Sequence, residues 1–236
     1  MTDIVLVHGA WAGAWCWKKV LPALRAPGHR VHAVTLTGVG ERAHLLSPAV
    51  TLRTHVQDVL GVIAAEELAD VVLVGHSYGG MVITGVADAA PPGAIRRLVY
   101  VDAVVPLPGE SWSSRHAPET VAQRVAAAEA SGGLGIPPPD PAMSGLTGAD
   151  HAWVERRQTP QPLAVYRDPL HFDAPRWSRW PRCFIDCNAP ALPTIDPMRA
   201  RVREQGGWEI VRMATGHSPM VSEPEALTAL LLRLAT

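Results

Sequence analysis

The 236-residue sequence predicts an α/β fold, a mostly parallel sheet flanked by helices. Two observations lead to it. Short apolar runs alternate with amphipathic stretches at both ends of the chain. The run Val71-Val72-Leu73-Val74 is apolar at every position, as in a strand covered on both faces. With 47% hydrophobic and 18% charged residues, the chain has enough apolar surface to build a large core.

The elements follow in order. Ile4–His8 reads as a strand running into a Gly-containing turn. Trp15–Ala26 has helical spacing and stops at Pro27-Gly28. Val31–Leu36 is a strand, followed by the turn Thr37-Gly38-Val39-Gly40. Leu52–Leu68 reads as a helix with Val56, Val59, Leu60 and Ile63 on one face. After the strand Val71–Gly75 comes a helix over Gly79–Ala89, ended by Pro91-Pro92-Gly93. Leu98–Val101, Cys183–Cys187 and Glu209–Met213 are further strands. Ser222-Glu223-Pro224-Glu225 has the spacing of a capping box opening a last helix through Leu234. Residues 104–180 break the rhythm, being rich in Pro and Gly with apolar segments too short for sheet strands. The expected organisation is therefore a core of residues 1–103 and 181–236, with 104–180 inserted after the fourth strand as a helical lid.

Composition excludes several classes of function. A formal net charge of −1 gives no field for nucleic acid. No apolar stretch is long enough to span a membrane, and the start has no secretory pattern, so a cytoplasmic protein is expected. The three cysteines, Cys16, Cys183 and Cys187, read as reduced, buried thiols. No metal site is expected, because Cys183 and Cys187 lack a second ligand pair. No cofactor is expected either: Thr37-Gly38-Val39-Gly40 lacks the Lys-Ser/Thr of a phosphate loop, and Gly132-Gly133-Leu134-Gly135 follows no strand. The expected partner is a small-molecule substrate, and pairing of two copies as a homodimer is left open.

The chemistry concentrates at Gly75-His76-Ser77-Tyr78-Gly79. Gly-x-Ser-x-Gly alone is weak, but here a buried strand precedes it and a helix follows. That turn pushes the Ser77 hydroxyl out at the carboxyl end of the sheet, in front of a helix N-terminus that favours developing negative charge. The turn His8-Gly9-Ala10-Trp11 after the first strand can aim a second N–H at the same point. The N–H groups of Ala10 and Tyr78 are thus the expected oxyanion hole. Of the ten histidines, His217 alone has the order Ser then His and a loop between last strand and last helix. His8, His32 and His76 read as structural.

These motifs resemble the plant-type methylesterase and hydroxynitrile lyase family of α/β hydrolases, most closely its bacterial esterase-like members. The resemblance is carried by Leu6-Val7-His8-Gly9-Ala10-Trp11, Gly13-Ala14-Trp15-Cys16-Trp17, Gly75–Gly80, Thr159-Pro160-Gln161-Pro162-Leu163 and Gly216-His217-Ser218-Pro219-Met220. It spans nearly the whole chain and implies an α/β-hydrolase fold with a helical cap. The lyases resemble one another in a Thr after the first-strand His and a Lys after the catalytic His. Here Gly9 and Ser218 stand at those positions, so no cation awaits a departing cyanide, and ester cleavage is favoured.

One part of the family pattern is missing. The resemblance implies a catalytic acid just past the penultimate strand, where this chain has Ala189 and Pro190. Asp102, at the end of the strand Leu98–Val101, is the first candidate to replace it, since some α/β hydrolases carry their acid there. Asp186 lies inside a strand and is the second candidate, and Asp196 reads as a helix cap. A third reading is that no acid remains.

The sequence thus predicts a serine hydrolase for small, apolar or aromatic carboxylic esters, with Ser77, His217 and Asp102 catalytic. Substrate is expected to meet Gly9, Trp11, Trp153, Tyr166 and Met220. The missing acid keeps two other readings open: a lyase, dehydratase or cyclase on the same Ser/His pair, and a catalytically silent binding protein.

Overall fold

A computed structural model describes residues 1–236. Its eight strands are β1 (Asp3–Val7), β2 (Arg30–Val34), β3 (Val71–His76), β4 (Ile95–Val101), β5 (Gly135–Ile136), β6 (Gln161–Pro162), β7 (Arg182–Cys187) and β8 (Trp208–Met213). Six of them form one parallel sheet in the order β2-β1-β3-β4-β7-β8, and β5 and β6 pair separately as a short antiparallel ribbon. Helices α1 (Leu21–Arg25), α2 (Leu52–Ala65) and α3 (Gly79–Ala89) connect the first four sheet strands. The insertion between β4 and β7 carries α4 (Pro118–Ala130), α5 (Gly148–Glu155), α6 (Leu163–Arg167) and α7 (Ala174–Ser178). Then come α8 (Asp196–Gln205), α9 (Pro219–Ser222) and α10 (Pro224–Leu234).

The strands sort their side chains with a period of two onto two cores. Val5, Val7, Leu73, Leu98, Tyr100 and Phe184 face α2, α3 and the insertion. Ile4, Leu6, Val72, Val74, Val99 and Ile185 face the opposite layer, with Leu24 of α1 and Leu227 and Leu231 of α10. All six residues of β3 are buried, which explains its unbroken apolar run. At β8, on the sheet edge, only Met213 is buried.

Two expected elements differ. The stretch Trp15–Ala26 is not one helix. A 3-10 turn over Ala14–Trp17 is followed by α1 at Leu21–Arg25. Cys16, Val20 and Leu24 still point inward, so the apolar spacing holds although the hydrogen bonding is broken. The capping box at Ser222 does not form. Ser222 closes α9, bonding the Ser218 carbonyl at 3.2 Å and Thr215 Oγ1 at 2.9 Å, and α10 starts at Pro224 without a side-chain cap. The capping box lies instead at Thr51 and Thr54, opening α2.

Candidate active site

Ser77 sits between β3 and α3 with φ of 52°, a left-handed conformation that is strained for a residue with a Cβ. Neighbouring backbone holds it there. Its N–H donates to the Val101 carbonyl at 3.2 Å, and its own carbonyl accepts from Val104 N–H at 2.9 Å and Gly80 N–H at 3.1 Å. The packing around this turn leaves no room for a side chain at Gly80, where a Cβ would lie 2.0 Å from the Val104 oxygen. Tying the Ser77 turn to Val101 and Val104 also fixes the two residues between them, Asp102 and Ala103. Asp102 has φ of 42°, and its N–H donates to the Ile185 carbonyl at 2.8 Å.

His217 lies in the loop after β8. Its N–H donates to the Ser144 carbonyl of the insertion at 3.1 Å, and its carbonyl accepts from His76 Nε2 at 2.8 Å. The two imidazoles pack at a tilt of 45° with centroids 4.7 Å apart. Nδ1 of His217 donates to Asp102 Oδ2 at 2.7 Å, so the lone pair resides on Nε2. Ser77 and His217 line the same cavity of about 120 Å³.

Asp102 is fully buried and is also held by a cation that sequence reasoning missed. Arg199 Nη2 donates to Asp102 Oδ1 at 2.6 Å, and its Nε donates to Asp186 Oδ1 at 2.7 Å. Nη1 reaches Asp196 Oδ1 at 2.9 Å, and Arg203 completes Asp186 at 3.0 Å. Three carboxylates against two guanidinium groups leave a net charge of −1 behind the imidazole. Asp186 is therefore engaged with arginines and not with His217, and Asp196 is not the expected helix cap: it is the first residue of α8, after Ile195 at the cap position, and its side chain accepts from Arg199. The signal for Arg199 was present: two carboxylates at the ends of adjacent strands need a cation, and Arg199 shares a helix face with Met198 and Val202.

The other interior histidines are neutral. His8 Nδ1 donates to the Gly9 carbonyl at 2.7 Å and Nε2 accepts from Leu36 N–H at 3.1 Å, with burial pushing its pKa down to about 4. His55 bridges the Thr37 carbonyl and the Tyr78 hydroxyl, and burial pushes it to about 4 too. Burial, reinforced by His217, holds His76 well below its usual value.

At the other side of Ser77, the N–H groups of Ala10 and Tyr78 donate to no protein acceptor. The next N–H, on Trp11, is taken by Gln161 Oε1 at 3.0 Å. Trp11 has φ of 62°, and its Nε1 donates to the Ile136 carbonyl at 3.0 Å. The insertion thus pins the turn that follows β1.

Of the residues expected to meet substrate, Trp11 and Met220 stand on the cavity wall, and Gly9, Trp153 and Tyr166 do not. A Cβ on Gly9 would come within 2.9 Å of Ser77 Cβ and 2.8 Å of His76 Nδ1, so its role is to let the two turns touch. Trp153 packs edge-on against Trp15 and under Arg157. Tyr166 is fully buried behind Trp112, 5.0 Å between centroids, with its hydroxyl 3.1 Å from His116 Nδ1. Spacing alone does not say which way an aromatic of the insertion points. Arg115 and Arg124 line the cavity and were not foreseen.

Comparison with known proteins places this geometry. Residues 4–230 match the model of the alpha/beta hydrolase family. The chain is 43% identical to a carbendazim hydrolyzing esterase of Nocardioides sp. (strain SG-4G), covering 99% of this chain and all of that protein. It is 29% identical to methylesterase 7 of Arabidopsis thaliana, over 98% of this chain and 95% of that one. A solved extracellular alpha/beta-hydrolase from a Paenibacillus species superposes with a TM-score of 0.87 at 24% identity, covering 100% of this chain and 99% of that one. The sheet order, the turn after β3 and these full-length matches agree: the chain belongs to the alpha/beta hydrolase family.

Proposed function

We propose that this ester-cleaving alpha/beta hydrolase works by acyl transfer to Ser77, on small carboxylic esters with an apolar or aromatic part. The observation that carries the reading is the 2.7 Å bond from His217 Nδ1 to Asp102 Oδ2, which leaves Nε2 as the basic nitrogen in the cavity that holds Ser77. Nε2 takes the Ser77 proton as Oγ attacks the ester carbonyl. The N–H groups of Ala10 and Tyr78 receive the oxyanion, and their lack of protein acceptors supports that role. The imidazolium returns its proton to the departing alcohol. Water, deprotonated by His217, then releases the acid and restores Ser77. Asp102 keeps the tautomer and stabilises the imidazolium throughout.

The name of the 43%-identical relative supports an ester substrate. Trp11, Trp112, Leu146 and Met220 on the cavity wall support an apolar or aromatic group. The motive for a non-hydrolytic reaction was the acid missing at Ala189 and Pro190, and Asp102 in contact with His217 removes that motive. No helix is long and apolar enough to cross a membrane, and three buried free thiols support a reducing compartment such as the cytoplasm.

The test is labelling and turnover together. A fluorophosphonate is expected to modify Ser77, and Ser77→Ala is expected to lose both labelling and p-nitrophenyl ester hydrolysis. Full activity in Ser77→Ala overturns the reading, as does product formation without solvent oxygen entering the acid.

A further inference from the structure

The cavity at Ser77 is charged in one sense only. Arg115 and Arg124 line it, and no Asp or Glu does. None of the chain's arginine or lysine ion pairs includes either residue. Arg115 Nη1 donates to the Thr194 carbonyl at 2.5 Å, while its Nε is buried with no partner at all. Arg124 Nη1 lies 3.3 Å from His116 Nε2. His116 is no anion and no competing cation: burial, with both arginines beside it, pushes its pKa down to about 3.

Aromatic faces satisfy part of this charge. The Arg124 guanidinium lies 5.3–5.4 Å from the ring centroids of Trp11, Trp112 and Tyr166. Stacking of that kind accounts for an arginine packed as a structural cation. It does not account for Arg115, which has no such ring, nor for two like charges placed in one cavity. Burial and the repulsion from Arg124 bring Arg115 down to about 9, so it is still a cation at neutral pH. A half-satisfied guanidinium in a cavity has a steep preference for an anion, and the planar fork fits a carboxylate best.

Resting on the ester-cleaving reading, we infer that the substrate is an ester carrying a second, ionised carboxylate, which Arg115 and Arg124 bind while Ser77 attacks the ester carbonyl. The apolar walls then hold the carbon chain or ring between the two groups. Hydrolysis of such an ester yields a dicarboxylic acid when the carboxylate is on the acyl side and a hydroxy acid when it is on the alcohol side.

The test compares charged esters with neutral ones of equal length. On the acyl side the pair is mono-p-nitrophenyl glutarate against p-nitrophenyl valerate. On the alcohol side it is 3-acetoxypropionate against propyl acetate. The parent enzyme is expected to favour the charged member of at least one pair by about tenfold or more in kcat/KM. Arg115→Met and Arg124→Gln are expected to collapse that ratio toward one, mainly through KM. Calorimetry on the parent gives a readout free of turnover: glutarate is expected to bind about tenfold more tightly than pentanamide, a neutral molecule of the same length. Equal kcat/KM within both pairs, with equal binding of glutarate and pentanamide, overturns the inference while leaving ester hydrolysis intact. Tight glutarate binding by a protein that hydrolyses none of the four esters keeps the anion site and overturns the ester reading. The parent's own ratios decide the matter even where a variant fails to fold.

Discussion

Asp102→Asn tests how His217 is held. The Asp102 carboxylate accepts from two donors on opposite oxygens, His217 Nδ1 at 2.7 Å and Arg199 Nη2 at 2.6 Å. An amide offers one acceptor oxygen and one NH2 donor. Arg199 has no neutral state to adopt, so the amide oxygen turns toward it and the NH2 faces His217. Nδ1 must then accept, and the imidazole proton moves to Nε2, the nitrogen needed as base. The equivalent change in the serine-protease triad lowers kcat by about 10⁴ with the geometry intact. The same loss, about 5.5 kcal/mol of transition-state stabilisation, is expected here. Folding suffers much less. Arg199 keeps Asp186, Asp196 and the carbonyls of Leu192 and Cys187, so the loss of unfolding free energy is expected to be about 1–3 kcal/mol. Steady-state p-nitrophenyl ester hydrolysis gives the first quantity and urea unfolding the second. A folded Asn variant with kcat within about tenfold of the parent refutes the tautomer reasoning.

Three further outcomes are expected. Arg199→Met leaves Asp102 and Asp186 buried beside each other with one cation removed, and is expected to cost about 3–5 kcal/mol in urea unfolding, a larger loss than Asp102→Asn causes. Gly80→Ala puts a Cβ 2.0 Å from the Val104 oxygen and must displace the strand of backbone that also bonds the Ser77 carbonyl; a loss of about 3 kcal/mol in stability with a fall in kcat is expected from unfolding and kinetics measured together. For pH, His8 and His55 have folded pKa values near 4, below the unfolded value of 6.5, so the unfolded chain binds more protons between those limits. Their effect is absent above pH 6.5, and stability falls as pH drops from about 6.5 to 4, with a slope near pH 5 approaching about 2–3 kcal/mol per unit for the two together. A urea-unfolding series that is flat from pH 6.5 to 4.5 counts against neutral burial of both.

What the sequence made legible was local. β3, the Ser77 turn and α3 are contiguous, and their apolar run, paired glycines and helical stretch each reported on the same backbone. His217 was legible by order, because it lies in the loop that directly follows the last strand. Asp102 was legible as a strand-end acid, and its contact with His217 spans 115 positions in the chain. Partners set by tertiary packing were not. Arg199 belongs to a helix whose composition is that of a solvated surface, yet it is 5% exposed because Asp102 and Asp186 require a cation between them. Trp153 and Tyr166 fell in the segment expected to cover the site, and nothing in their spacing told cavity wall from packing layer.

The meeting of Asp102 with His217 follows from the sheet. β4 and β7 are hydrogen-bonded neighbours, with Val101 level with Ile185. A carboxylate just past the end of either strand therefore lies about one strand spacing from the other, roughly 5 Å, within reach of the same histidine loop. A carboxylate at Asp102 has a physical cost that one at the exposed Ala189 would not, because Asp102 is fully buried. A carboxylate so placed has lost its hydration and needs a cation and further hydrogen-bond donors to offset that loss. Arg199 supplies both at 2.6 Å, and taken alone it would also cancel the negative charge that faces His217. Asp186, drawing on the same guanidinium, restores it, and the cluster keeps its net charge of −1. On this argument Asp186→Asn, which leaves the His217–Asp102 bond in place, is expected to lower kcat by about tenfold through the field at the imidazole. An Asp186→Asn enzyme that loses stability but no activity would show that Arg199 and Asp102 suffice without it.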